Sequence, residues 1–309
     1  MQPTGYSLEP VGGGLFMSLI SRRSFLKTGA ATGALAGIGA VPLLAERESA
    51  TDWVTLGKSG VKVTRLAFGT GSHNGAVQSR LGQEGFTRLV RYAYDHGVRF
   101  FETAQAYTGM PEMLGTALKG LPRDSYALMS KVTTNGADPQ TSLDEMRRQS
   151  QTDYFDIMLL HVQTGPTWPS DSLRWQDGIL ELEHRQAIRS HGASVHGLPA
   201  LRRVPDDKWL DVAMIRMNHK GTKMDNEGDE WNEPGNVPEV VQHVKQARAA
   251  GMGVISMKLI GEGAFTNRSD RQQSMRFAFR NAGVDCVTVG YKNTAEIDEA
   301  IENVNLALA

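Results

Sequence analysis

Three stretches of this chain predict its fold: VRFFETAQAY (98–107), YALMSK (126–131) and FDIMLLH (155–161). Each contains an apolar run typical of a strand buried on both faces, and each ends in a side chain capable of chemistry. Similar apolar runs alternate with amphipathic stretches along the rest of the chain. Regular alternation of strands and helices favours a parallel sheet, and eight such units predict a (β/α)8 TIM barrel.

The apolar stretches predict eight barrel strands, at Arg65–Gly69, Val98–Thr103, Tyr126–Lys131, Phe155–His161, Gly192–His196, Leu210–Asn218, Gly253–Lys258 and Cys286–Gly290. Amphipathic stretches predict helices at Glu84–His96, Met110–Leu118, Thr141–Gln149, Val237–Ala250 and Asp270–Asn281. A final helix, Thr294–Leu308, is predicted to begin with Thr294 as its N-cap. Alternation around Lys58-Ser59-Gly60 within residues 53–64 predicts an N-terminal β-hairpin. The polar segment Lys220–Pro238 is predicted to be a lid or binding loop.

Four side chains with complementary chemistry follow three consecutive predicted strands: Glu102, Tyr107, Lys131 and His161. The C-terminal ends of barrel strands form the active site of such enzymes, so these residues are expected to meet there. A phenol with a pKa near 10 transfers protons poorly at neutral pH unless its anion is stabilised. An adjacent ammonium provides that stabilisation, a carboxylate orients the ammonium, and an imidazole can orient a carbonyl. The set is therefore suited to protonating the oxygen of a carbonyl during its reduction.

The sequence FFETAQAY resembles the FFDTA-x-x-Y pattern of the aldo-keto reductases, and LLH (159–161) is similar to that family's histidine motif in the fourth strand. The resemblance covers most of the chain after residue 52. It implies an NADP(H)-dependent oxidoreductase that interconverts a carbonyl and an alcohol, with Tyr107 as proton donor and Lys131, Glu102 and His161 as its catalytic partners. It also implies that the hairpin plugs the bottom of the barrel.

The resemblance further implies a set of NADP(H)-binding residues: Gly69, Thr70, Ser194, Lys258, Gly261, Gly263, Gly290 and Lys292. Backbone amides after the eighth strand suit a phosphate, and Lys292 is placed to meet the adenosine 2′-phosphate. Several positions depart from the family pattern. Its acid is Asp where this chain has Glu102, its Ser-Asn pair is Ser194-Val195, and its Glu-Asn pair is Glu299-Ala300. Its Gln and its stacking Tyr are replaced by Met214 and Met257, so the nicotinamide end is expected to be loosely held.

Two other interpretations remain open on the residues alone. The imidazoles of His161, His196 and His219, with Glu102, are expected near one barrel mouth and could bind a divalent metal, which predicts a metal-assisted lyase, isomerase or hydrolase. Against that alternative, the chain contains no H-x-H or H-E-x-x-H spacing. A non-catalytic ligand-binding barrel is favoured if Glu102 cannot reach Lys131. Three tryptophans are expected in loops: Trp168, Trp175 and Trp231. They could line a pocket for a sugar or an aromatic ring, or they could pack at the edge of the pocket.

The N-terminus carries an export signal. The basic segment Ser21–Lys27 contains Arg22-Arg23 and precedes a weakly apolar run, Gly29–Ala45, which is typical of a twin-arginine signal. The sequence thus predicts a signal region at 1–45, a barrel domain at 46–309, and a periplasmic or exported protein that uses the twin-arginine machinery. Starting at Met17 would give the usual short basic region. Leu43 suits the −3 position of a cleavage site poorly, so an uncleaved membrane anchor is the alternative.

Composition excludes several classes of partner and site. The net charge of −1 provides no electrostatic basis for binding nucleic acid. The single cysteine, Cys286, excludes an intrachain disulfide and a cysteine-ligated iron–sulfur cluster. The predicted helices show no apolar stripe on their solvent side, so we expect a monomer that acts on a small-molecule substrate.

Overall fold

The computed structural model describes residues 47–136, 138–228 and 234–309, and its second compact unit spans 46–309. An antiparallel hairpin of β1 (Trp53–Thr55) and β2 (Lys62–Thr64) precedes a closed barrel of eight parallel strands. The barrel strands follow one another around the closed sheet as β3 (Leu66–Gly69), β4 (Phe100–Glu102), β5 (Ala127–Val132), β6 (Ile157–Gln163), β7 (His191–Val195), β8 (Val212–Arg216), β9 (Gly253–Met257) and β10 (Cys286–Val289). The predicted (β/α)8 barrel and its N-terminal hairpin are confirmed.

The helices of the described residues are α1 (Ala76–Ser79), α2 (Gly82–Asp95), α3 (Met110–Leu118), α4 (Pro139–Gln149), α5 (Trp168–Asp171), α6 (Leu173–His184), α7 (Leu198–Leu201), α8 (Val237–Ala249), α9 (Arg268–Arg276) and α10 (Thr294–Leu308). Helix α9 continues into a π-helical turn, Phe277–Ala282. Helix α6 occupies a segment for which the sequence predicted no helix. The predicted N-cap of α10 is wrong by one residue: Asn293 is extended, at φ −154°, and its side chain accepts from the Glu296 N–H at 3.0 Å.

Alternate residues of the barrel strands point inward and form one apolar cluster with the hairpin. Phe100, Met129 and Ile157 belong to it, together with Leu56 and Val63 of the hairpin segment. The hairpin contacts the end of the barrel at which strands begin, since the Lys58 N–H donates to the Gly251 carbonyl at 2.7 Å. The opposite end, where the strands finish, is left for the loops that carry polar side chains.

The segment after β8 is anchored to the barrel by a buried ion pair. Asp225 accepts from the Arg216 guanidinium at 2.6 Å and from the Gly197 N–H at 2.8 Å, and its side chain is fully buried. This pairing fixes one part of the predicted lid loop, while Trp231 lies outside the described residues. Within the described ranges, no helix has the length and apolar character needed to cross a membrane. The predicted signal and its alternative as an anchor also lie outside those ranges.

Candidate active site

A buried lysine connects three of the four predicted catalytic residues. Lys131, in β5, is fully buried and donates to the carboxylate of Glu102 at the end of β4. Its Nζ also donates to the Thr103 carbonyl at 3.0 Å and to the Tyr107 hydroxyl at 3.1 Å. The three donors of the ammonium are therefore all used, and the longer side chain of Glu102 does reach its partner. A non-catalytic barrel was favoured only if Glu102 could not reach Lys131, and the structure shows that it does.

Tyr107 is held in its protonated form. Burial raises the pKa of its hydroxyl well above the usual value, and the charges of Glu102 and Glu262 act in the same direction. Burial lowers the pKa of Lys131, although Glu102 opposes that shift. We expected Lys131 to lower the pKa of Tyr107. The effect of burial on that pKa is larger, because the positive charge of Lys131 is already balanced by the Glu102 carboxylate. The resting site therefore presents a phenol that can donate a proton.

His161 stands beside this phenol as a neutral imidazole. The ring centroids of Tyr107 and His161 are 5.5 Å apart in an edge-on arrangement. Burial, with smaller contributions from the charges of Lys131 and Lys258, lowers the pKa of His161 to about 3. Its Nδ1 atom is buried without a hydrogen-bond partner among the described residues. A neutral imidazole can orient a substrate carbonyl without competing for the proton that Tyr107 supplies.

A β-bulge immediately follows His161. The pairing of β6 with β7 shifts between Leu160 and Gln163, and Val162 in that gap has φ 56° with 44% of its surface exposed. The left-handed region is strained for a β-branched residue, and bulges near active sites commonly re-aim a neighbouring side chain. Nothing in the sequence signalled this feature, because Val162 continues an apolar strand pattern.

One cavity of about 480 Å³ runs from the tetrad across the ends of β9 and β10 to helices α9 and α10. It is lined by Glu102 and Tyr107 and by five of the predicted cofactor residues, namely Gly69, Lys258, Gly263, Gly290 and Lys292. The other three, Thr70, Ser194 and Gly261, lie outside its lining. Thr70 donates to the Glu102 carbonyl at 3.0 Å, and the Ser194 hydroxyl lies 3.1 Å from His196 Nε2. The position of Tyr107 requires a glycine at residue 71, because a Cβ there would lie 2.5 Å from the Tyr107 hydroxyl.

The loop after β9 crosses this cavity. Lys258 and Glu262 both have positive φ, and the Lys258 ammonium lies 2.7 Å from the Glu262 carboxylate. Burial raises the pKa of Glu262, but the hydrogen bond and charge of Lys258, together with His73 and its backbone N–H, bring the net pKa below its usual value. The carboxylate therefore joins the loop after β9 to the loop after β3. Sequence reasoning missed Glu262, since a charged residue in a glycine-rich loop is ordinarily solvated.

Two further cation–carboxylate pairs line the cavity near α10. Lys292 approaches Glu296 to 3.5 Å, and its backbone N–H donates to the same carboxylate at 2.8 Å. Two guanidinium nitrogens of Arg271 in α9 donate to the carboxylate of Glu299 in α10, at 2.6 and 2.8 Å. This bidentate geometry orients both groups strongly. Neither pair was predicted, because each depends on how α10 packs.

The predicted metal ligands do not assemble. The ring centroids of His161 and His196 are 6.4 Å apart, and His219 instead lies 3.7 Å from Asp270. Among the residues with described positions, just one group brings three potential ligand atoms together, and it consists of Glu183, His191 and Asp211. His191 and Asp211 lie at or before the start of β7 and β8, at the opposite end of the barrel from the tetrad. The structure gives no support to a metal centre formed by the predicted histidines.

The two described tryptophans after β6 belong to the core. Trp168 is 3% exposed and Trp175 is 4% exposed, and neither lines the cavity. The indole N–H of Trp168 donates to the Ala200 carbonyl at 3.3 Å. Of the two interpretations of these side chains, packing is the one that their burial supports.

Comparison with known proteins identifies related chains. The model of the aldo/keto reductase family matches residues 65–304, and a twin-arginine translocation signal matches residues 19–39. L-galactose dehydrogenase of Arabidopsis thaliana is 34% identical over 117 residues, which cover 34% of this chain and 36% of that protein. The chain spans less than half the length of the curated relatives it matches first.

Solved structures with low sequence identity share the fold. An aldo-keto reductase from Pseudomonas aeruginosa is 21% identical with a TM-score of 0.68, covering 85% of this chain and 99% of that one. An aldo-keto reductase from Klebsiella pneumoniae in complex with NADPH is 18% identical with a TM-score of 0.63, covering 85% and 92%. The family match confirms the family that the sequence predicted, the match at residues 19–39 confirms the twin-arginine signal, and the solved structures share the barrel fold. The chain belongs to the aldo/keto reductase family.

Proposed function

We propose that this protein is an exported, NADP(H)-dependent oxidoreductase that interconverts a carbonyl and an alcohol. One observation carries the proposal: Tyr107, held 3.1 Å from the Nζ of Lys131, lines the same cavity as Lys258, Gly290 and Lys292. A proton donor thus borders a space with the groups expected to bind a dinucleotide. The NADPH complex of the Klebsiella pneumoniae structure supports the choice of cofactor.

Each of the four tetrad residues has a separate role in the proposed reaction. The reduced nicotinamide would supply a hydride to the carbonyl carbon. The Tyr107 hydroxyl would give its proton to the carbonyl oxygen as negative charge develops there. Lys131 would stabilise the resulting phenolate, and Glu102 keeps that ammonium charged and oriented. The neutral His161 would donate a hydrogen bond to the same oxygen, which stabilises the developing charge.

The cavity residues fit a dinucleotide in chemical terms. Two buried hydroxyls that line it, Thr288 Oγ1 and Tyr291 OH, have no hydrogen-bond partner among the described residues. Backbone amides near Gly263 and Gly290 would bind the pyrophosphate, and Lys292 the 2′-phosphate. Lys258 also borders this part of the cavity. Ser194 is assigned to the nicotinamide amide, which requires its hydroxyl to turn from His196.

The proposal is tested by analysing what the purified protein carries and binds. Protein purified folded from the cytoplasm is denatured, and released nucleotide and metal are measured together. We expect NADP in the supernatant and no stoichiometric metal. Calorimetric titration of the stripped, folded protein should then show binding of NADPH. Failure to bind either dinucleotide would exclude an oxidoreductase of this type, and a stoichiometric metal would favour the metal-dependent alternative.

A further inference from the structure

A histidine and two carboxylates meet at the end of the barrel opposite the tetrad. His191 begins β7, Asp211 lies immediately before β8, and Glu183 belongs to the last turn of α6. Gly192 pairs with Val212 between the two strands, so His191 and Asp211, each one residue earlier, stand side by side. One ligand atom from each of the three side chains lies within 4.8 Å of the other two. None of the three lines the large cavity.

The imidazole of His191 is buried and held in one orientation. The residue is 7% exposed, its ring centroid lies 4.6 Å from that of Trp209, and its Nε2 lies 2.6 Å from the Trp209 carbonyl oxygen. A carbonyl only accepts hydrogen bonds, so Nε2 carries a hydrogen and donates it. Histidines that bind a metal through one ring nitrogen usually hold the other nitrogen in this way. Nδ1 is therefore the nitrogen that faces the carboxylates.

Negative charge converges on this nitrogen. Glu183 Oε2 lies 2.5 Å from Nδ1, and Asp211 Oδ2 lies 3.9 Å from it. Glu183 also stands at the C-terminal end of a helix, where the peptide dipoles add partial negative charge. Lys58 approaches the other oxygen of Asp211 at 3.6 Å, but this lysine is half-exposed and such contacts are weak. A proton on Nδ1 would contact Glu183 alone, whereas a divalent cation would contact all three groups.

We propose that Glu183, His191 and Asp211 bind a divalent transition-metal ion, and that Zn²⁺ fits the site best. Imidazole nitrogen and carboxylate oxygen are ordinary zinc ligands, at about 2.0–2.2 Å from the ion. Three protein ligands leave a fourth tetrahedral position for water. The ion would connect α6 to the starts of β7 and β8 and would stabilise the barrel there. Since the tetrad lies at the other end, the ion takes no part in its reaction.

This site is expected to exchange its ion readily. The side chains of Glu183 and Asp211 are 30% and 22% exposed, and the set contains one nitrogen ligand and no thiolate. We therefore expect a Kd of about 1 μM, which is weaker binding than that of zinc-finger sites. Protein purified without added metal should lose the ion. A metal that stays bound through purification would thus be distinct from this one.

Calorimetric titration of the folded, metal-free protein with Zn²⁺ tests the proposal. The wild type should bind one ion per chain, and Zn²⁺ at about a hundred times Kd should raise Tm by about 5–10 °C. Chelation of the ion should reverse that rise. Mg²⁺ should not compete, because it prefers sites made of oxygen ligands alone.

Two substitutions of nearly unchanged shape locate the ion. Glu183→Gln retains an acceptor for the His191 ring but loses the carboxylate, and Asp211→Asn does the equivalent at its position. Each should weaken Zn²⁺ binding by at least about tenfold and reduce the rise in Tm. Glu181→Gln is the matched control, because Glu181 lies on the same helix but pairs with Arg185 at 2.7 Å. This control should bind Zn²⁺ as the wild type does.

The outcomes distinguish this site from other arrangements. Absence of Zn²⁺ binding to folded wild-type protein would overturn the proposal and leave His191 as an imidazolium paired with Glu183. Equal Zn²⁺ affinity in the wild type, Glu183→Gln and Asp211→Asn would also overturn it, because the ion would then be bound elsewhere. The wild-type titration decides the question even if a variant does not fold. Titration with NADPH is a separate measurement, so the proposed function and this site can fail independently.

Discussion

Tyr107 is poised to donate a proton rather than to lose one spontaneously, because its surroundings bury the hydroxyl beside two carboxylates. Removing this hydroxyl by Tyr107→Phe should leave folding and nucleotide binding intact. A positioned general acid contributes ~10²–10⁴ in rate, so kcat for carbonyl reduction should fall by about that factor. Steady-state kinetics with any accepted carbonyl measures this. Unchanged kcat would remove Tyr107 from the proposed mechanism.

A matched substitution controls for damage to the site in general. Tyr126→Phe removes the hydroxyl of a residue on the outer side of the barrel wall, in the cluster that contains Phe101 and Leu128. Its hydroxyl does not line the cavity. The variant should therefore retain kcat, and a parallel loss in both variants would indicate a structural effect rather than loss of the proton donor.

Lys292 and Glu296 together are expected to set the affinity for the 2′-phosphate. Lys292→Ala should weaken NADPH binding by about tenfold, since a charge-assisted contact is lost at an exposed site. Glu296→Gln should strengthen NADPH binding several-fold, because the ammonium then has no competing carboxylate. NADH affinity should change little in either variant, as measured by titration. Equal effects on both dinucleotides would show that Lys292 does not meet the 2′-phosphate.

At the scale of single elements, the bulge in β6 stores strain beside the catalytic face. Val162→Gly should raise the free energy of unfolding by about 1 kcal/mol, because glycine adopts φ 56° without steric conflict. The gain is limited by the greater flexibility of glycine in the unfolded chain. Urea denaturation measures the difference. Val241→Gly, within helix α8, is the control and should destabilise the protein.

The kcat of the Val162→Gly variant tests whether the bulge has a role in catalysis. If the strained residue serves to aim His161, a flexible glycine should lower kcat modestly while stability rises. A variant that is less stable than the wild type would contradict the prediction that relief of strain at Val162 outweighs the greater flexibility of glycine. A strand can therefore satisfy its apolar pattern and still depart from regular pairing at one residue.

For the whole molecule, the twin-arginine signal at residues 19–39 is expected to direct export. Replacing Arg22 and Arg23 with lysines should retain the protein in the cytoplasm in folded form, because the twin-arginine pair is the recognition element of the signal. Cell fractionation with immunoblotting measures this. The exposed pair Arg202-Arg203 provides the control, since its replacement with lysines should leave export unchanged. Normal export of the Arg22/Arg23 variant would contradict the signal assignment.

The barrel, the family and the residue types near the strand ends could all be predicted from the sequence alone. These follow from local information: apolar runs mark the strands, and amphipathic periods mark the helices. Glu102, Lys131 and His161 each lie at the C-terminal end of a strand or within two residues of it. Helix α3 was predicted with the bounds observed and helix α10 to within one residue at its N-cap, because their apolar periodicity and flanking residues are contained within each segment. The arginine pair of the signal is equally local.

How those residues act together depends instead on the packing of the whole barrel. The raised pKa of Tyr107, the bulge at Val162 and the spacing of the histidines all depend on closure of the barrel. Likewise, Arg271 meets Glu299 only because α9 packs on α10. Burial and charge pairing between residues distant in sequence depend on three-dimensional packing, which neither periodicity nor a motif encodes in any single segment.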